Sequence, residues 1–297
     1  MGEAADQPAR RGLAASPGTA LVTGANLSPG VRDRLPRVET VMGTTVGVDV
    51  RDRIPDLALA PILDAFFAVL TDIDRRFSPY RPDSEVSRIS RGELAEEDAS
   101  PDLRWILGAC EDLRRISGGT FDARGHRPDG SLDPSGIVKG WAIEEGTAVL
   151  EAAGLRDYAI NAGGDVLAAG GPEPGAGPRD RAIGAPTPWR VGIQHPLEPG
   201  SIAAVLLVRD RAVATSGQYQ RPGHLRDPRG GNAPGELLSL TVVGPSLTWA
   251  DAYATAAFPM GLAGLEWVHD RLGYGALAIG TDLRVTWTPI VESLLER

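Results

Sequence analysis

Apolar residues recur along this chain at two different spacings, and the switches between them set the expected elements. Val38 to Val50 alternates and is rich in Val and Thr, which predicts a first strand. From Pro61 to Asp74 the apolar positions Ile62, Phe66, Val69, Leu70 and Ile73 fall at helical spacing, and Pro61 suits the first turn. A second helix runs from Ser100, an N-cap before Pro101, to Gly118, a C-terminal stop. Its buried face is Leu103, Ile106, Leu107, Cys110 and Leu113. A third helix begins near Lys139 and ends at Gly154. Short strands follow over Tyr158 to Asn161, Val166 to Ala169, Trp189 to Gln194, Ile202 to Val208, Ala212 to Thr215 and Leu237 to Val243. Helices then span Trp249 to Met260 and Leu265 to Arg271, and two last strands lie near Ala276 to Ile279 and Arg284 to Trp287. Gly170 to Pro188 is Gly/Pro-rich without a core pattern and reads as a loop. Helices and strands mix without regular βαβ alternation, which favours an α+β fold over a doubly wound sheet. Residues 1–36 are rich in Ala, Gly, Pro and Arg without clear periodicity. They read as a mostly disordered leader ahead of a single domain over residues 37–297.

Composition narrows the function classes. The chain has 297 residues, 42% hydrophobic and 23% charged, enough for a sizeable core without disulfide staples. Its one cysteine, Cys110, sits in an apolar helical pattern and reads as a packed thiol. A net charge of −9 argues against nucleic acid and against an anionic membrane surface. It does not bar a phosphorylated small molecule, because a divalent cation overrides the global balance locally. No stretch reaches the length of a membrane span or a signal h-region, so the expectation is a cytoplasmic protein without membrane insertion.

Several clusters are candidates for chemistry, each with a plainer reading beside it. Asp251 and Thr255 lie four apart in a helical stretch, so both oxygens share one face. They suit a hard cation such as Mg²⁺, or they are an N-terminal Asp and a Thr bonded back to its own helix. In Asp133-Pro-Ser-Gly-Ile-Val-Lys-Gly140, Gly136 and Gly140 let backbone approach a ligand and Lys139 adds positive charge at a helix start. The plainer reading is a turn into a surface helix. The spacing is not that of a Walker A loop. Asn161-Ala-Gly-Gly-Asp165 is either a tight turn or a ligand contact. Thr215-Ser-Gly217 ends a strand in small hydroxyl residues that hold phosphate oxygens or make a plain turn. His224, three residues before Asp227-Pro-Arg229, is a proton carrier or a lone surface His. His126, His195 and His269 have no partner pattern and form no H-x-x-x-H metal pair.

Taken in order, these clusters form a specific signature. Met42-Gly-Thr44, Phe77-Ser-Pro-Tyr80 with Asp83-Ser-Glu85, Gly119-Thr-Phe-Asp122 and Asp133-Pro-Ser-Gly-Ile-Val-Lys-Gly140 come first. Asn161-Ala-Gly-Gly-Asp165, Thr215-Ser-Gly217, His224 with Asp227-Pro-Arg229, and Ala250-Asp-Ala-Tyr-Ala-Thr255 complete it. From about Val41 onward the chain resembles the FAD:protein FMN transferases, the ApbE family. The resemblance implies a T-fold-like α+β architecture of two interleaved lobes with FAD in the cleft between them. It implies Mg²⁺ on Asp251 and Thr255, with a backbone carbonyl near Val138. It implies flavin-nucleotide contacts from Met42, Ser78, Tyr80, Asp122, Ser135, Lys139, Gly163, Gly164, Asp165, Thr215 and Ser216. The implied reaction is phosphoryl transfer: a Thr or Ser hydroxyl of an acceptor protein attacks the FMN phosphorus and AMP leaves. His224 is the candidate for the acceptor proton, and Asp251 acts through the metal.

The chain departs from the family in places. Arg226 stands where an apolar residue is usual, and Gly230 where Thr is usual. The segment between Asp122 and Asp133 is short, and the secretion signal and lipid-anchor Cys common in bacterial members are absent from the sequence. The same site supports two other readings, a FAD pyrophosphatase that uses water and a non-catalytic flavin binder.

Overall fold

A computed structural model describes residues 22–23, 35–125, 127–172, 187–217, 226–232 and 235–297. Most of the leader lies outside these residues. Val22–Thr23 (β1) is described within it and pairs antiparallel with Val191 and Arg190.

The stretch expected as one strand from Val38 to Val50 is two strands, Arg37–Val41 (β2) and Thr44–Val50 (β3). They form a hairpin, with Val41 opposite Thr44. The turn is Met42-Gly43, both at positive φ, 55° and 68°. Two consecutive left-handed residues match the twist of a two-residue hairpin. Periodicity hid the turn because Met is not a usual turn former.

Helix α1 covers Asp56–Phe77 and buries Leu63, Phe66, Phe67, Leu70, Ile73 and Phe77. It starts earlier than expected, so Pro61 lies inside it rather than in its first turn. A short helix missed by periodicity, Glu85–Ser90 (α2), follows Ser84, whose side chain accepts from Ser87 N–H. Helix α3, Pro101–Ile116, is capped by Ser100 as expected, with Leu103, Ile106, Cys110 and Leu113 buried; Leu107 is only partly so. Gly118 and Gly119 end it at positive φ and donate to the carbonyls of Arg115 and Arg114.

Helix α4 spans Ser135–Ala152 and so starts four residues before Lys139. It buries Ile137, Val138, Ala142, Ile143 and Leu150 and leaves Glu145, Ala148 and Glu151 exposed. A Cβ on Gly146 would lie 2.6 Å from the Phe66 ring of α1. A Cβ on Gly140 would lie 2.5 Å from the Leu247 carbonyl oxygen. Gly140 therefore lets a helix, not a ligand, approach closely. That neighbour is α5, Leu247–Ala257, which is followed by a short 3-10 turn at Phe258–Met260.

The remaining strands are Tyr158–Ala162 (β4), Asp165–Ala169 (β5), Trp189–Gln194 (β6), Ile202–Val208 (β7) and Arg211–Gly217 (β8). Arg226–Asp227 (β9) and Gly231–Asn232 (β10) form a small hairpin. Leu237–Gly244 (β11), Gly275–Gly280 (β12) and Val285–Trp287 (β13) complete the set, with helices Ala263–His269 (α6) and Pro289–Glu292 (α7). Eight strands form one antiparallel sheet in the order β13-β12-β11-β8-β5-β4-β3-β2.

Alternation gives the sheet two dry faces. Val46, Val48, Ile160, Ala214 and Val242 face α1, α4 and α5. Val166, Val213, Val243 and Leu277 face the second sheet, β1-β6-β7, around the buried Trp189. Each large apolar side chain buried this way contributes about 1.5–3 kcal/mol. A partly exposed tie joins distant segments at one end of the sheet: Asp52 accepts from Arg156 and Asp157 N–H, and Arg51 N–H donates to the Asp157 carbonyl at 2.7 Å.

Candidate active site

The site lies where the helix layer meets the ends of β3, β4 and β8. A cavity of ≈ 600 Å³ opens there. Its wall takes the Met42-Gly43 turn with Thr44, the end of α1 with the loop Ser78–Arg81, and Thr120–Asp122. The first turn of α4, Gly163, Thr215–Gly217, Asp251 and Thr255 close the rest. Sites of this size hold nucleotide-sized ligands.

The floor is built by α4 and α5 running antiparallel. Gly136 sits beside Thr255, whose Oγ1 would be 3.6 Å from an added Cβ. One turn along, Lys139 stands between two carboxylates. Its Nζ is 2.5 Å from Asp165 Oδ2 and 3.5 Å from Asp251 Oδ2. Asp165 and Asp251 are only 4% and 8% exposed at their side chains, and Lys139 is 33% exposed. Burial lowers the Lys139 pKa, but the two carboxylates outweigh it and hold the ammonium above its usual range. Burial raises Asp251 above the ordinary carboxylate range, with Lys139 opposing and Asp165 adding to the shift.

Asp165 also organises β8. Its Oδ1 accepts from Thr215 N–H at 2.9 Å, and Thr215 Oγ1 shares a hydrogen bond with Thr241 Oγ1. The Gly-Gly turn before it needs its glycines. Gly163 and Gly164 have φ of 64° and 106°, and a Cβ on Gly163 would collide with Thr44 Oγ1 at 2.2 Å. Gly164 N–H donates to Asn161 Oδ1. At the start of α4, Asp133 accepts from both Ser135 N–H and Ser135 Oγ, which fixes that hydroxyl.

The rim is looser. Tyr80 is 70% exposed, with the Arg127 guanidinium 5.1 Å from its ring centroid. The Asp227-Pro-Arg-Gly230 turn leans on the Gly119–Gly125 loop, where Arg229 Cγ would be 3.6 Å from a Cβ on Gly119. Arg229 pairs with Asp227 at 2.7 Å and pulls its carboxyl below the usual range.

Of the residues singled out from sequence, Met42, Ser78, Tyr80, Asp122, Ser135, Val138, Lys139, Gly163, Thr215, Ser216, Asp251 and Thr255 line this one cavity. Gly164 is not among the lining residues, and Asp165 meets the cavity through Lys139. His224 lies outside the described residues, as does His126. His195 closes its own turn, its Nδ1 accepting from Glu198 N–H at 3.1 Å. Sequence reasoning did not single out Asp74, whose carboxyl is raised by partial burial in the cavity wall, or Arg81 opposite it. Nor did it single out Glu144, described below.

The arrangement has the donors for a hard divalent cation. Asp251 Oδ2 is buried and, apart from the Lys139 ammonium at 3.5 Å, has no hydrogen-bond partner among the described residues. A hydroxyl, Thr255, lies one turn further along the same helix face. No cluster of three or more His, Cys, Asp or Glu that would hold a metal alone occurs among the described residues. A cation here would keep positions for ligand oxygens, as Mg²⁺ does with phosphates.

A model of the ApbE family matches residues 42–126 and 123–278. The FAD:protein FMN transferase of Rhodobacter capsulatus is 33% identical over 182 residues, 58% of this chain and 32% of that protein. The enzyme of the same name from Vibrio cholerae is 29% identical over 182 residues, 58% of this chain and 50% of that protein. The matched region thus spans half or less of these curated relatives. Among solved structures, the flavin transferase ApbE from Vibrio cholerae superposes with a TM-score of 0.72 at 22% identity, covering 88% of this chain and 99% of that one. The ApbE protein of Thermotoga maritima gives 0.73 at 20% identity, with the same coverage. At these identities the likeness establishes the α+β fold.

Proposed function

The chain belongs to the ApbE family, and we propose that it transfers the FMN half of FAD to a Thr or Ser hydroxyl of an acceptor protein, releasing AMP. The acceptor oxygen forms a bond to the FMN phosphorus, the bond to the bridging oxygen breaks, and AMP leaves with that oxygen. The observation that carries this reading is the floor: a lysine held between two buried carboxylates, beside the Gly-containing start of a helix, at the base of a nucleotide-sized cavity.

Asp251, Thr255 and a backbone carbonyl near Val138 would hold Mg²⁺, which neutralises pyrophosphate charge when bound. The protein's own groups do the positioning, which dominates phosphoryl transfer. The Lys139 ammonium stays charged at neutral pH and suits a phosphate oxygen. The fixed Ser135 hydroxyl, Thr215 and Ser216 supply polar contacts along the wall. Met42 and Tyr80 offer apolar and aromatic surface at the mouth. Gly163, with no room for a side chain, lets the turn pack against Thr44 in the cavity wall. His224 is assigned the acceptor proton on sequence grounds.

The test is incubation with FAD and Mg²⁺, with and without a Thr-bearing acceptor segment, following AMP and acceptor mass. Acceptor-dependent AMP with a flavin mass that survives denaturation is expected. Free FMN and AMP in both tubes would make it a FAD hydrolase, the reading that Arg226 and Gly230 favour. No AMP despite bound FAD would overturn the proposal in favour of a flavin binder.

A further inference from the structure

Glu144 lies in the middle of α4, 107 residues before Asp251 in sequence, and touches none of the cavity. Its carboxylate nevertheless grips the first turn of α5. Oε1 accepts from Leu247 N–H at 2.6 Å, and Oε2 accepts from Ser246 Oγ at 3.2 Å and from Thr248 Oγ1. A carboxylate at a helix N-terminus satisfies orphan donors and complements the dipole. Ordinarily that group comes from the capped helix itself. Here Ser246 caps Trp249 N–H weakly, at 3.4 Å, and the stronger acceptor comes from the neighbouring helix.

The consequence follows from helix geometry. Glu144 and Lys139 are on α4, and Leu247 and Asp251 are on α5, with the helices antiparallel. The helices touch at Gly140 and Leu247, where even a methyl group would not fit. The clamp lies on one side of this contact and the Lys139–Asp251 pair on the other. One helical turn, about 5.4 Å, separates Leu247 from Asp251, and the next separates Asp251 from Thr255. A slide or roll of α5 at the clamp is therefore passed on to both proposed metal donors.

We propose that Glu144 is a positioning residue: by clamping the N-terminus of α5 onto α4, it sets where Asp251 and Thr255 stand relative to Lys139 and so tunes the cation site. The inference rests on the metal reading above, but its readout does not need turnover. Full-length protein is titrated with Mn²⁺ alone and followed by EPR, for wild type, Glu144→Ala, Glu144→Asp and Ser100→Ala. Ser100→Ala removes the cap of α3 and serves as a control for simple destabilisation, because Ser100 is not among the lining residues and makes no hydrogen bond to α4 or α5 among the described residues. Loss of a group that orients a metal ligand weakens binding about tenfold or more. Glu144→Ala should show that loss and Glu144→Asp a partial recovery, while Ser100→Ala lowers Tm yet leaves Mn²⁺ affinity unchanged. Glu144→Ala with wild-type Mn²⁺ affinity overturns the proposal. So does an equal loss in Ser100→Ala, because the effect would then be general stability. Wild type that binds no Mn²⁺ sinks both the cation site and the clamp's role. Wild type that binds Mn²⁺ but releases no AMP sinks only the transferase reading, and the ratio between variants still decides the role of Glu144.

Discussion

The floor and the rim of the cavity are built on opposite terms. On the floor, Lys139, Asp165 and Asp251 are held by two packed helices and a central strand, with the carboxylates nearly sealed from solvent. On the rim, Tyr80 is mostly exposed, Arg229 is half exposed, and the small hairpin that carries Arg229 pairs through only two residues on each side. Buried charge is costly unless its partners are fixed, so the floor tolerates little change. Exposed pairs are screened and worth little, so the rim is free to vary. Two of the departures noted from the resemblance, Arg226 and Gly230, fall on the rim hairpin.

Four substitutions would break or sharpen this contrast. The largest effect is expected from Asp251→Ala, which should cut Mg²⁺-dependent AMP release on the order of 10³-fold or more while circular dichroism stays native. Undiminished release would remove Asp251 from the cation site. Gly140→Ala comes next. Its methyl meets the Leu247 carbonyl, so unfolding should show a loss of about 1–3 kcal/mol, with reduced turnover because both helices carry floor residues.

A third variant, Asp251→Asn, should have opposite effects on function and stability. A carboxyl whose folded pKa is raised penalises the folded state once it ionises. The penalty is present at neutral pH and fades as pH falls toward the unfolded carboxylate value. In metal-free buffer Asp251→Asn should therefore raise Tm near pH 7, through a stability gain on the order of 1 kcal/mol that shrinks toward pH 4. A gain that grows on acidification would contradict this sign. The smallest effect belongs to the rim. Arg229→Ala should shift stability by about 0.5 kcal/mol or less, and the KM for FAD by about threefold at most. A loss as large as that of Asp251→Ala would erase the distinction between the two regions.

Sequence pattern read the fold best where local signals agree. Helix α3 carries a cap, an apolar face and a glycine stop, and its ends fell where expected. Strands β6 and β7 matched at both ends because alternation and flanking turns coincide. Pattern failed where a residue acts against its type. Met42 takes a left-handed turn, and Pro61 sits within a helix whose first turn precedes it. On the floor, the four-residue step from Asp251 to Thr255 was readable because it is local. Glu144 was not readable. A mid-helix Glu looks like any solvated face, and its partners lie about a hundred residues away in sequence. Asp74 was hidden in the same way, as one more acid near the end of an amphipathic helix.

The order of strands in the large sheet has a consequence for how the molecule comes into being. β8 is flanked by β5 and by β11, so the middle of the sheet is not finished until a late strand joins. α5, which carries Asp251 and Thr255, follows β11 directly. During synthesis the cavity walls from Met42 to Gly163 emerge long before the helix that carries Asp251 and Thr255. Long-range closure of this kind is slow, and it comes last. A partly made chain would therefore carry much of the cavity's lining without Asp251 and Thr255, and both would join it in one late step.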